Sequence, residues 1–355
     1  LYITADKVGS PSGGGAVTFH ESEAMKGVGD TTVLDRTVIQ SARKIESDPW
    51  GWDDAISECS ISGEDLSKIR IAHFYAGTFT KTVRKLKSCG TKITYTAAAH
   101  DVQESKKAHE ELGLSYNYPH LTDPELWKRY VGGYLDADVL ICPSQHSANV
   151  MRNFGATNEI VVIPHGVILP DRTVRPPRNF TVGYLGAIGP DKGIRYLLEA
   201  WAKLGYHDGS RLILGGAHTI PGTTSFQWLS SMVSAFLGNQ AYTVGYTGWV
   251  ENVSDFYNSI SLYVQSSVSE GFGIEILESM AHNRPVLCST GAGAVDLVPE
   301  WYRFPAKDVN SLAEKIEVLK HKQLEMDDPS WTEIARRFTW DKIRLEYQKV
   351  WRNLL

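Results

Sequence analysis

The stretch Ser269-Glu270-Gly271-Phe272-Gly273-Ile274-Glu275-Ile276-Leu277-Glu278-Ser279-Met280-Ala281-His282-Asn283-Arg284-Pro285-Val286 follows an apolar, strand-like run from Ile260 to Val264. It sets two carboxylates, Glu270 and Glu278, eight positions apart across a Gly-Phe-Gly turn, the second on a short helix. Gly273 leads into that helix, whose first N–H groups lack intrahelical partners and point back toward the end of the preceding strand. Such a helix start receives phosphate or another anion. A carboxylate on either side can grip hydroxyl groups, and phosphate flanked by hydroxyl-bearing groups describes a nucleotide-sugar. A strand, a glycine turn and a helix also occur throughout α/β proteins, and glutamates on a helix are usually solvated. The segment alone leaves both readings open.

Working outward, short β-rich runs alternate with helical stretches. Ile69 to Phe74, Lys92 to Ala97, Val139 to Cys142 and Glu159 to Ile163 read as strands, with helices at Thr80 to Ser88 and Leu126 to Ala137. A second series begins at Phe180 to Leu185 and continues at Arg211 to Leu214, Ala241 to Tyr246, Ser261 to Gln265 and Val286 to Ser289. Such alternation implies parallel sheets covered by helices on both faces. Between the series, Pro164 to Arg178 carries four prolines and few apolar residues, which marks a boundary. The length of 355 residues exceeds what one core usually serves, so two units are expected.

Composition narrows the class. Apolar residues at 42% and charged residues at 22% are ordinary for a globular protein. A net charge of −5 gives no reason to expect nucleic acid as a partner. Cys59, Cys89, Cys142 and Cys288 lack metal or CxxC spacing and read as reduced, mostly buried thiols of a cytoplasmic protein. No apolar run reaches the roughly 18–20 residues of a membrane span, and the chain opens without a signal-peptide pattern.

Other features carry chemistry. Leu185-Gly186-Ala187-Ile188-Gly189-Pro190-Asp191-Lys192-Gly193 runs from a strand through glycines and a lysine into a helix from Ile194 to Trp201, a plausible phosphate cradle. Thr247-Gly248-Trp249-Val250 precedes a helix around Val253 to Asn258. Near the start, Ser12-Gly13-Gly14-Gly15 lets backbone approach a ligand before a helix reaching about Lys26, without forming a dinucleotide fingerprint. His100-Asp101 follows a strand end, where open α/β sheets bind ligands. Lys81, Arg84, Lys85, Lys87 and Lys92 form a basic run, which suits a solvated face or an anionic membrane surface. The final helix, Trp340 to Leu355, should bury Ile343, Leu345, Tyr347, Val350, Trp351 and Leu354.

Taken together, Glu270 to Glu278 with Ala281 and Pro285-Val286, the Lys192-Gly193 loop, Ala137 to Ser144, and Ile163-Pro164-His165-Gly166-Val167 resemble retaining glycosyltransferase family 4, the glycosyl transferases of group 1. That resemblance implies the α/β GT-B fold, two Rossmann-like doubly wound parallel-sheet domains facing a central cleft. It places an acceptor domain at 1–168, a nucleotide-sugar donor domain at 169–339, and a helix at 340–355 returning to the first. It implies sugar transfer from a nucleotide-diphosphate donor to a hydroxyl acceptor with retention, without a metal or other cofactor. Glu270, His100 and Lys192 take the catalytic places. Gly13, Gly14, Gly15, Gly186, Val250, Gly271, Phe272, Gly273, Ile274 and Glu278 join Lys192 and Glu270 around the donor. Glu270 meets the sugar hydroxyls, Glu278 the ribose, Val250 the base. Two departures stand out: Ala187 where the family pattern has arginine, and His165 where it has asparagine. Another GT-B enzyme such as an epimerase, or a non-catalytic nucleotide-sugar-binding protein, remains the alternative. The resemblance implies a glycan, glycolipid or small-molecule acceptor. The expected location is cytoplasmic, with Lys81, Arg84, Lys85 and Lys87 as the candidate for peripheral membrane contact.

Overall fold

The computed structural model describes residues 1–4, 8–10, 13–35, 66–75, 79–116, 123–217, 225–322 and 330–355. Ser12 and Cys59, named above, lie outside the described residues. The chain divides into two compact units, one of Leu1–Ala99, Asn117–Gly166 and Trp340–Leu355, the other of His100–Tyr116 and Val167–Thr339. The segment His100–Tyr116 therefore belongs with the second unit, although the sequence boundary assigns it to the first.

The first unit holds β1 (Tyr2–Thr4), α1 (Gly13–Lys26), β2 (Val33–Leu34), β3 (Ile71–Tyr75), α2 (Thr80–Ser88) and β4 (Lys92–Thr96). After α3 (Val102–Glu110), which lies in the second unit, it resumes with α4 (Pro124–Leu135), β5 (Val139–Cys142), α5 (Gln145–Asn153) and β6 (Glu159–Val162). The sheet runs β2-β1-β3-β4-β5-β6 with every pair parallel. Parallel strands bury both faces, and β3 and β5 are buried along their whole length. Asp123 caps α4 through the N–H groups of Glu125 and Leu126, and Pro124 occupies the first helical position, where its missing N–H costs nothing. Among the basic residues of α2, Arg84 is bound to Asp136 at 2.6 Å and Lys87 to Asp138 at 3.3 Å. These pairings neutralise part of the patch the sequence offers to a membrane surface. Cys142 and Cys288 are buried, whereas Cys89 is exposed, against expectation, because it caps the end of the amphipathic α2.

The second unit continues with β7 (Thr181–Leu185), α6 (Ile194–Leu204), β8 (Arg211–Gly215), α7 (Ser225–Leu237), β9 (Val244–Gly248), α8 (Val253–Asn258), β10 (Leu262–Gln265) and α9 (Ile274–Ala281). It closes with β11 (Val286–Ser289), β12 (Arg303–Phe304), α10 (Val309–Lys322) and α11 (Ser330–Arg336). Its sheet is parallel in the order β12-β11-β10-β7-β8-β9. The chain thus builds outward from β7 in one direction, then returns to lay β10 on the other side of β7. That reversal opens a crevice beyond the carboxyl ends of β7 and β10, where open α/β sheets bind ligands. The strand expected at Ala241 to Tyr246 starts later because Gly238–Thr243 wind a 3-10 helix. Thr243 is held in that turn by Trp201, whose indole N–H donates to its hydroxyl at 2.9 Å.

The last helix, α12 (Trp340–Leu354), belongs to the first unit and packs on α1. Its buried stripe is Trp340, Ile343, Tyr347 and Trp351. Leu345, expected in that stripe, is 53% exposed. It sits roughly 200° around the helix from Ile343 at 100° per residue, on the solvent side. Tyr347 and Tyr2 donate to buried Glu21 at 2.7 and 2.8 Å, Thr96 at 2.8 Å, and His73 lies 3.2 Å from it. Burial works to raise the Glu21 pKa, but His73 and the Tyr347 and Tyr2 hydroxyls outweigh it, and the pKa is lowered.

Candidate functional site

The site forms where the loops after β7 and β10 meet. The turn Pro190–Lys192 is tied to the β10 loop by Val268 N–H donating to the Asp191 carbonyl at 2.8 Å. Ser266 hydroxyl reaches the Lys192 carbonyl at 2.9 Å. Gly193 follows at φ +67, and a Cβ there would lie 2.0 Å from the Ser266 carbonyl oxygen, so this close approach requires glycine. Glu270 is fixed on the other side: its N–H donates to Gly291 at 2.9 Å, and its carbonyl accepts from Gly293 at 2.9 Å. Both loops being held, the Lys192 ammonium and Glu270 carboxylate form an ion pair. Burial works against the Lys192 charge, but Glu270 and Asp191 more than offset it, and the pKa rises.

Beyond the ion pair, α9 starts at Gly273 in a left-handed conformation with no side chain capping it. Its opening N–H groups and positive dipole end suit an anion there. Glu275 lies in the first turn of α9, and Glu278 follows three residues later. The Tyr257 hydroxyl donates to Glu278 at 2.9 Å. Burial raises the Glu278 pKa, and this hydrogen bond works in the opposite direction. His100, from the start of the α3 segment, belongs to the same unit. Its pKa is lowered by burial and by the Lys192 charge, against the pull of Glu270, Asp191 and Asp101. Asp101 caps α3 by accepting from Gln103 N–H at 2.9 Å, which fixes the backbone beside His100.

The structure brings His100, Gly186, Lys192, Glu270, Gly271, Gly273, Ile274 and Glu278 into one unit around this crevice. Val250 packs at the end of β8, where a Cβ on Gly215 would lie 3.0 Å from it. The Phe272 side chain is buried in the core with Leu277 and Val286, which leaves only its backbone for the expected place at the helix start, and its carbonyl accepts from Ala294 N–H at 2.8 Å. An aromatic ring inside a glycine turn is the larger apolar payload, so packing takes it. Gly13, Gly14 and Gly15 form the first turn of α1 in the other unit rather than a loop ahead of it. Gly15 packs there on Ser10, whose carbonyl oxygen would lie 2.2 Å from an added Cβ.

Sequence reading passed over Glu275 and Tyr257. Glu275 stands three residues before Glu278, a spacing that puts both on one helix face. Tyr257 carried no signal, since it meets Glu278 only through the fold. Among the described residues no group of three or more His, Cys, Asp or Glu side chains could hold a metal ion. Among the same residues no helix is long and apolar enough to cross a membrane.

Residues 179–321 match the family model described as Glycosyl transferases group 1. An uncharacterized glycosyltransferase of Methanocaldococcus jannaschii is 25% identical over 225 residues, 62% of this chain and 60% of that protein. The capsular polysaccharide biosynthesis glycosyltransferase CapM of Staphylococcus aureus is 31% identical over 150 residues, 40% of this chain and 37% of CapM. The chain therefore spans less than two thirds of the length of these curated relatives. Sucrose-phosphate synthase from Thermosynechococcus elongatus superimposes with a TM-score of 0.74 at 18% identity, covering 100% of this chain and 99% of that one. Anabaena HepE in complex with UDP gives 0.71 at 15% identity, covering 99% of both chains. These likenesses show the fold, GT-B, with its two parallel six-stranded sheets and flanking helices.

Proposed function

We propose, from the match of residues 179–321 to the group 1 glycosyl transferases, that the chain moves a sugar from a nucleotide-diphosphate donor to a hydroxyl acceptor, retaining the anomeric configuration. The observation that carries this reading is the Lys192–Glu270 ion pair at the crevice beyond β7 and β10, beside the uncapped start of α9. The diphosphate lies against that helix start, with Lys192 compensating the charge that develops as it leaves. Glu270 then exchanges its lysine partner for sugar hydroxyls. Glu278, oriented by Tyr257, accepts from the ribose, and Val250 contacts the base.

His100 faces the transferred sugar or the acceptor. With its pKa lowered, its imidazole is neutral near pH 7 and can accept or donate one hydrogen bond without adding charge. The departing phosphate takes the acceptor proton on the same face, so no covalent nucleophile is required. Lys192 and the α9 dipole supply the charge stabilisation, which makes transfer metal-independent in this reading. The solved HepE complex holds UDP, which supports a uridine donor as the first to test. The protein works in the cytoplasm, and the pairing of Arg84 and Lys87 leaves a weakened patch for peripheral membrane contact.

A thermal-shift screen of nucleotide-sugars tests the donor class. A ligand present at about 100 times its Kd adds about 2.7 kcal/mol of stability, enough to raise the melting temperature by several degrees. A shift with one nucleotide-sugar that Lys192→Ala abolishes supports the reading. No shift with any of them removes it.

A further inference from the structure

Glu275 has no part in the roles above, yet its carboxyl feels the charges of Glu270, Glu278 and Lys192. It lies in the first turn of α9. Its carboxyl also reaches across to the loop after β7. A Cβ on Gly186, which has φ +144, would lie 3.3 Å from Glu275 Oε1 and 3.1 Å from the Tyr184 hydroxyl oxygen. Glu275 thus bridges the helix start and the glycine loop, the two places between which a diphosphate would be held. In that loop Ala187 offers only a methyl group, and Lys192 is already paired with Glu270.

An ionised carboxylate at this position would repel a diphosphate. A neutral one presents an O–H, which is a hydrogen-bond donor. We propose that Glu275 binds the donor as a neutral carboxylic acid, giving its O–H to a diphosphate oxygen between the start of α9 and Gly186. This inference rests on the nucleotide-sugar reading above.

The surroundings support it. Burial raises the Glu275 pKa to about 8, helped by the charges of Glu270 and Glu278 and opposed by its own backbone N–H and by Lys192. The remaining titratable neighbours are Tyr184 on β7, Tyr263 on β10 and Tyr257 on α8, whose own pKa values are raised well above the usual phenol by burial first and by Glu275 among the nearby charges. Asp191 acts on Lys192, whose charge it helps to hold. Carboxylic acids kept neutral by an apolar or acidic site serve as donors elsewhere in enzyme chemistry. The sign of the linkage follows: a bound diphosphate raises the pKa further, so affinity is full below the free pKa and falls as pH rises through it.

The test is calorimetric titration of UDP into wild type and Glu275→Gln at about pH 7 and about pH 8.5. The amide keeps an N–H donor in place, so the variant should bind within about twofold of wild type at the lower pH. Between the two pH values wild type should weaken about three- to fivefold more than the variant, which carries the same nucleotide titration but no carboxyl. Wild type alone gives a second readout. In buffers of different ionisation enthalpy, UDP binding at about pH 8.5 should take up about half a proton. Equal pH slopes, zero proton uptake, or a variant binding tenfold or more tighter at about pH 7 would each overturn the role of Glu275 and leave the donor site standing. Failure of wild type to bind UDP at either pH, with no other nucleoside diphosphate replacing it, would overturn the donor reading and this inference with it.

Discussion

Lys192 and Glu270 stand 78 positions apart in the chain and meet as an ion pair, each carried by a loop that leaves the carboxyl end of one of two adjacent parallel strands. The pairing prepares the site in two ways. It holds the ammonium beside the start of α9, and it shields a carboxylate that would otherwise face two further glutamates. Replacing Lys192 by alanine leaves Glu270 unpaired next to Glu275. We expect UDP affinity to fall about tenfold or more and donor turnover about a hundredfold, in the range seen when one transition-state donor is lost. Isothermal titration and nucleotide-release kinetics on the same preparation separate the two effects.

Gly193→Ala tests the loop that aims Lys192. The new Cβ would meet the Ser266 carbonyl at 2.0 Å, and φ +67 disfavours any side chain. A loss of about 2 kcal/mol or more in urea unfolding is expected, together with weaker UDP binding than in wild type. Unchanged stability would mean that the loop relaxes away from β10.

Glu275 makes a prediction about the unliganded protein. Its pKa of about 8 exceeds the unfolded value of about 4.3, so the native state binds more protons between those pH values and stability falls as pH rises through that window. Glu275→Gln removes this dependence. The variant should be more stable than wild type by on the order of 2 kcal/mol at about pH 8.5, with a smaller difference at about pH 5. Denaturant curves at the two pH values read it directly.

In the first unit, Glu21 holds α12 to the sheet through Tyr347 while accepting from Tyr2 and Thr96. Removing this carboxylate leaves four buried polar groups, on Tyr2, His73, Thr96 and Tyr347, without a shared partner. Glu21→Ala should cost about 3 kcal/mol or more. Because the Glu21 pKa is lowered, its contribution is present above the unfolded carboxylate pKa and is lost as pH falls through the folded one. Glu21→Gln should therefore blunt acid unfolding, as followed by circular dichroism.

Strand–helix alternation made the fold class readable from sequence, and the Glu270–Glu278 spacing pointed to the candidate site, because both are local patterns. Val139–Cys142 and Val286–Ser289 fall where their apolar runs lie. The rest depends on tertiary contact. The late start of β9 follows from Trp201 holding Thr243, a partner 42 residues away. Phe272 reads as part of the helix start after a glycine turn, and only the folded sheet shows that its ring fills the core. The grouping of His100 with the second unit depends on how α3 packs, a relation that periodicity does not encode. Glu275 was visible at helical spacing, but its approach to Gly186 was not.

Release of nucleoside diphosphate from a panel of nucleotide-sugars, compared between wild type and Glu270→Ala, bears most directly on sugar transfer. One donor should be hydrolysed by wild type and at least about a hundredfold more slowly by the variant, while the variant keeps UDP affinity within about threefold. Equal, slow release by both proteins, with the donor bound by both, would contradict a transferase and leave a nucleotide-sugar-binding protein in its place.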